Sequence, residues 1–188
     1  MIAQVRQRMT YAEYLAAEET ATGKHDFING EVYAMASGSL EDGALAAACA
    51  RVLGQALDGK PCRVFSSDAR VRVESTGASF YPDLSVVCGK LIAANEDAQS
   101  IANPLVLIEV LSESTEAYDR GAKAGHYRRI PSLREYVLIS QNERRVEVQR
   151  LNEKGTWELH FYGPGEHVEL FSAGVRFSVD AVYANPLG

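Results

Sequence analysis

Apolar and polar positions along this chain fall into short alternating runs interrupted by a few longer periodic stretches. The densest apolar run is Pro104-Leu105-Val106-Leu107-Ile108-Glu109-Val110-Leu111, opened by proline and closed by Ser112-Glu113-Ser114-Thr115. A run of this length, bounded in this way, predicts a strand buried on both faces. Alternation assigns Leu105, Leu107, Glu109 and Leu111 to one face and Val106, Ile108 and Val110 to the other. Glu109 is then aimed into an apolar layer, where an ionised carboxylate is costly unless a cation or hydrogen-bond donors meet it.

The remaining pattern supplies the elements around that strand. Thr10 and Glu13 have the spacing of a capping box, so a short helix is expected from Tyr11. His25 to Met35 predicts a hairpin turning at Asn29-Gly30, with Asp26 and Glu31 on adjacent strands. The bland reading of that pair is two exposed carboxylates flanking a turn. Ser39 to Leu57 is alanine-rich, with Ser39 or Asp42 as caps, and predicts a helix packed closely on a sheet. Cys62 to Phe65 and Ala69 to Glu74 predict strands, Gly77-Ala78-Ser79 a loop, and Phe80 to Cys88 one strand carrying Asp83, Ser85 and Val87 on a common face. Lys90 to Asn103 has no clear period and is expected as a surface connection with some helical turn. A helix from Glu116 to Arg129, capped by Ser114 or Thr115 and stopped by Pro131, carries the i,i+4 pairs Glu116/Arg120 and Asp119/Lys123. Strands at Glu135–Ser140, Arg145–Leu151, Trp157–Tyr162 and Val175–Val179 complete an α/β arrangement, a mixed sheet flanked by helices.

Composition narrows the class. With 188 residues, 46% hydrophobic and 23% charged, the chain is expected to form one domain over 1–188 with ordinary globular proportions. No stretch approaches the roughly 20 apolar residues of a membrane span, and Met1 to Arg8 lacks the apolar core of a secretory signal, so a cytoplasmic location is expected. Three cysteines, Cys49, Cys62 and Cys88, are read as reduced thiols rather than disulfides or a zinc site. A net charge of -6 argues against a protein that coats nucleic acid through a broad cationic surface. It does not exclude an enzyme that holds phosphate through bound metal.

Asp83 opens one strand and Glu109 lies within another, 26 positions later. On neighbouring strands the two carboxylates converge, and they repel unless a proton or divalent cation lies between them. Oxygen ligands with room for water and phosphate suit Mg²⁺. Lys123, from the following helix, would supply positive charge to orient a water or to stabilise charge at phosphorus. The competing assignment makes Lys123 the partner of Asp119 on a solvated face, and Tyr127, one turn on, a packing residue. The four histidines show no metal spacing, and no glycine-rich phosphate loop or serine elbow is present.

Tyr81-Pro82-Asp83, then Leu107-Ile108-Glu109-Val110-Leu111-Ser112, then Asp119-Arg120-Gly121-Ala122-Lys123 with Tyr127, resemble the Uma family of restriction endonucleases within the PD-(D/E)xK nuclease superfamily. His25 to Glu31 and Arg134 to Leu138 share the resemblance, which runs from about Tyr11 to Leu151. It implies a restriction-endonuclease-like fold with additional C-terminal strands, and a Mg²⁺ or Mn²⁺ site on Asp83 and Glu109. It also implies that Lys123 replaces the lysine usual two residues after the glutamate, where Leu111 stands, and that Asp26 or Glu31 completes the catalytic set. Two departures are Asp26, where relatives often carry glutamate, and Asp42, where they often carry histidine. The expected function is metal-dependent hydrolysis of DNA by a homodimer without membrane attachment. The competing function is a non-catalytic binding or assembly module on the same fold, motivated by the acidic charge and the two departures.

Overall fold

The computed structural model describes residues 8–35 and 38–184. All but Arg8 of the segment considered for a secretory signal lies outside them. The chain begins with α1 (Tyr11–Glu18), in which the Thr10 side chain accepts from Glu13 N–H and the Glu13 carboxylate accepts from Thr10 N–H. The hairpin β1 (His25–Ile28) and β2 (Glu31–Ala34) turns at Asn29 and Gly30, whose φ values of 53° and 84° are the left-handed pair this turn requires. Ser39 and Asp42 form a second capping box at α2 (Leu40–Ala56). These three elements stand where the pattern placed them.

Two larger sheets follow. One runs in the order β2-β1-β5-β4-β7, with β4 (Arg70–Val73), β5 (Ala78–Phe80) and β7 (Ser100–Ile101). The other runs β11-β10-β9-β8-β6-β3, formed by β3 (Cys62–Ser66), β6 (Leu84–Cys88), β8 (Val106–Leu111), β9 (Glu135–Ser140), β10 (Val146–Leu151) and β11 (Trp157–Tyr162). Strands β8 and β9 are parallel, which demands a crossover. That crossover is helical: α3 (Glu116–Tyr118), a wide π turn (Asp119–Lys123) and α4 (Ala124–Tyr127). A hairpin of β12 (His167–Leu170) and β13 (Val175–Ser178) leads into α5 (Val179–Val182).

The six-stranded sheet has a different layer on each face. Val106, Ile108 and Val110 pack with α2, β12, β13 and α5, in a core that includes Leu53, Val137, Val148, Leu170 and Phe177. Leu107 and Leu111 face the other way, toward Phe80, Tyr127, Leu133, Tyr136 and Leu138. The alternation expected of the central strand is therefore observed, and all six residues of β8 are buried.

Four expectations are corrected. Phe80 to Cys88 is two strands, because Pro82 cannot donate to a ladder and the chain there leaves one sheet for the other. The Ala78-Ser79 loop belongs to the first of these strands. Lys90 to Asn103 holds β7 and a bridge from Ala93 to Ile101, with no helix. Cys62 and Cys88 are joined by a disulfide rather than reduced, because β3 and β6 pair antiparallel in a register that sets the two directly opposite. Cys49 is free and buried. No helix of the described residues is long and apolar enough to cross a membrane.

Candidate metal and catalytic site

The break at Pro82 places Asp83 just ahead of β6. Strand β6 pairs antiparallel with β8 through Leu84 opposite Ile108, which leaves Asp83, just outside the ladder, at the end of the pair where Glu109 lies. The Asp83 carboxylate accepts the Val110 N–H at 2.7 Å through Oδ2, which ties it to the residue after Glu109. Glu109 is only 4% exposed and points into the layer between the sheet and the helical crossover.

That crossover supplies the partner demanded by the buried carboxylate. Asp119, Lys123, Ala124 and Tyr127 form its buried stripe, the spacing of one helix face. Lys123 Nζ lies 2.7 Å from Glu109 Oε1 and 3.4 Å from Asp119 Oδ1. The Tyr127 hydroxyl donates to the same Oε1 at 2.8 Å. Edge contacts with Phe80 and Tyr136, at centroid distances of 5.2 and 5.3 Å, fix the Tyr127 ring. The solvated-face assignment for Lys123 is thereby corrected: the side chain is 6% exposed, on the inward stripe. Tyr127 packs as expected and also bonds Glu109.

Asp26 reaches the cluster from β1. It is buried, and its Oδ1 accepts weakly from Tyr81 N–H at 3.4 Å. The bland reading of two exposed carboxylates therefore fails for Asp26. Phe27 and Val32, on the other face of the hairpin, pack against Tyr14 of α1, which fixes which way Asp26 points. Glu31 is held elsewhere. It accepts from the Tyr33 hydroxyl and lies 3.7 Å from Arg8.

Burial dominates the electrostatics of the cluster. It pushes the Glu109 carboxyl up to about 8, against the pull of Lys123 and with further push from Asp83 and Asp119. Burial also raises Asp26 to about 6 and moves Asp83 in the same direction; Asp42, in the first turn of α2, adds to the latter. Burial works against the Lys123 ammonium, but Glu109, Asp26 and Asp119 outweigh it and hold the lysine more firmly protonated than usual. One ammonium therefore sits among four carboxyl groups.

Each of three acids is held by one oxygen. Among the described residues, no hydrogen bond reaches Oε2 of Glu109, Oδ1 of Asp83 or Oδ2 of Asp26. The donor set, hard oxygens with excess negative charge, fits a cation such as Mg²⁺. No group of three or more His, Cys, Asp or Glu among the described residues is placed to enclose a metal. A cation here would take two protein carboxylates and complete its shell with water and phosphate oxygens, a habit of Mg²⁺.

Of the residues nominated from sequence, the structure brings together Asp83, Glu109, Lys123 and Asp26, and sets Glu31 apart. It adds Asp119 and Tyr127. Their signal was present in the i, i+4, i+8 spacing of Asp119, Lys123 and Tyr127, one stripe of a helix whose burial the sequence did not reveal.

A family model described as "Putative restriction endonuclease", Uma2, matches residues 11–180. Two uncharacterized proteins of Synechocystis sp. are similar over nearly the whole chain. One, slr1290, is 34% identical over 94% of this chain and 92% of its own; the other, sll1609, is 35% identical over 90% and 97%. The fold matches the crystal structure of a putative nuclease of DUF820 from Anabaena variabilis with a TM-score of 0.77, at 18% identity, over 94% of this chain and 98% of that one.

Proposed function

Because the chain belongs to the Uma2 family of putative restriction endonucleases, we propose that it is a metal-dependent nuclease hydrolysing DNA phosphodiester bonds. The observation that carries this reading is the buried cluster itself: four carboxyl groups around one lysine, three of them with an oxygen left unbonded.

Asp83 and Glu109 are the residues that would hold Mg²⁺ or Mn²⁺. When bound, the cation supplies Lewis acidity toward the phosphoryl oxygen and a water of lowered pKa. Lys123 retains its proton, so it serves as a cation and hydrogen-bond donor, not as a base. From its place beside Glu109 it orients the attacking water and offsets charge developing on phosphorus. Tyr127 and the Val110 N–H fix one oxygen of each acid, which aims the other. Asp26 adds a third carboxylate from β1. Hydrolysis of both strands of a duplex needs two attacks, which a symmetric homodimer supplies.

Calorimetric titration with Mn²⁺, with plasmid nicking in Mg²⁺, tests the reading. Binding and nicking by the wild type, both lost in Asp83→Ala, are expected. A wild type that neither binds nor nicks overturns it. That result would favour the non-catalytic module, a reading supported by the lack of a three-acid cage among the described residues.

A further inference from the structure

The six-stranded sheet ends on β11, and among the described residues no strand pairs with its outer edge. Exposed edges in monomers are usually blunted by lysine, proline or a bulge. The six residues of β11, Trp157-Glu158-Leu159-His160-Phe161-Tyr162, contain no lysine or proline, and their register with β10 is unbroken. Trp157, Leu159 and Phe161 point to one side. Leu159 is 50% and Phe161 56% exposed, and Arg128 and Arg145 lie over the Trp157 and Phe161 rings. Glu158 and His160 point to the other side.

We infer that a second copy of this chain pairs antiparallel with β11 across a two-fold axis at Leu159. The register follows from geometry. Residues opposite each other in an antiparallel pair share a face, so a two-fold axis perpendicular to the sheet must pass through a residue position and not between two. Centred on Leu159, the pairing sets Trp157 against the partner's Phe161, Glu158 against the partner's His160, and Leu159 against itself. Every apolar residue meets an apolar residue, and every acid meets an imidazole. Centred on His160, it would set two imidazoles face to face and Glu158 against tyrosine; centred on Glu158, two carboxylates would meet.

This interface locates the homodimer of the proposed function. Its tests read assembly rather than hydrolysis, so either reading can fail alone.

Sedimentation equilibrium of the full chain at micromolar concentration is expected to give the mass of two copies. Leu159→Asp, which sets two carboxylates together on the axis, is expected to give one copy with unchanged circular dichroism. Leu159→Cys is expected to form a covalent dimer under mild oxidation, whereas Glu158→Cys, facing an imidazole, is not; the native cysteines are bonded or buried. Glu158→Lys removes the acid set opposite the imidazole and raises the dimer Kd about tenfold, and adding His160→Glu restores it. A monomeric wild type, a dimer that survives Leu159→Asp, or equal crosslinking of the two cysteine variants overturns the proposal.

Discussion

Two buried glutamates, Glu135 and Glu109, stand on adjacent strands of one sheet and are treated in opposite ways. Glu135 is fully buried on the face toward β12 and β13, and both its oxygens are taken. Arg150 Nε and Phe171 N–H reach Oε1 at 2.8 and 3.2 Å, while the Ser172 N–H at 3.2 Å and the Ser172 hydroxyl reach Oε2. Glu109, on the other face, has both its donors on one oxygen and three further carboxyl groups nearby. The fold is thus able to satisfy a buried carboxylate completely, and at Glu109 it does not. The first arrangement is what a structural ion pair needs; the second keeps ligand capacity at the cost of charge crowding.

The largest effect expected from breaking this comparison is on stability, at Glu135. Glu135→Ala strands the Arg150 guanidinium and two backbone donors, and a loss of about 3–5 kcal/mol is expected in urea unfolding. Mn²⁺ affinity per folded molecule should stay unchanged. A loss below about 1 kcal/mol would mean that water replaces the carboxylate.

Next in size is the pH dependence at Glu109. Folding raises the Glu109 carboxyl from 4.5 to about 8 and that of Asp26 from 3.8 to about 6. The native state therefore binds more protons than the unfolded state in this window. The stability these protons supply is complete below the unfolded values and is lost as pH climbs through the folded ones. Without divalent cations, the urea midpoint should fall between pH 5 and pH 8; saturating Mg²⁺ should flatten the fall, and Glu109→Gln should shrink it. A midpoint that rises over this range contradicts the assignment.

Tyr127→Phe removes one of the two donors to Glu109 while keeping the ring in place. A loss of about 1 kcal/mol in stability and about tenfold in Mn²⁺ affinity is expected. Smallest is Glu31→Gln, which should change stability by no more than about 0.5 kcal/mol and leave Mn²⁺ titration unaltered. A large drop in affinity would return Glu31 to the site.

What the sequence disclosed and what it withheld divide along physical lines. Features written in a few consecutive residues were legible: the Thr10–Glu13 and Ser39–Asp42 caps, the Asn29-Gly30 turn, and the buried run with one acid in it. Pairing between distant segments was not. Nothing in the spacing of Cys62 and Cys88 announces that β3 and β6 place them opposite each other. The run from Phe80 to Cys88 reads as one strand, whereas the missing N–H of Pro82 ends one sheet's ladder before the next begins at Leu84. For Lys123 a role in the site and a solvated pairing with Asp119 both stayed open, because helix spacing shows which residues share a face but not whether that face is covered. Strand alternation and the family resemblance nominated Asp83, Glu109 and Lys123, which the structure brings together; neither foresaw that the hydroxyl of Tyr127 joins them.

The wide turn from Asp119 to Lys123 has one more consequence. A π turn carries an extra residue relative to regular α geometry, and each residue of an α-helix advances the side chains by about 100°. Excising Ala122 would therefore let the segment tighten while Asp119 and Lys123 pass from i,i+4 to i,i+3 spacing, still neighbours on one helix face, so the ammonium would keep Asp119 and shift against Glu109 on β8. The placement of the cation beside Glu109 is thus set by chain length at this point, where a one-codon deletion would move it without altering any side chain of the cluster.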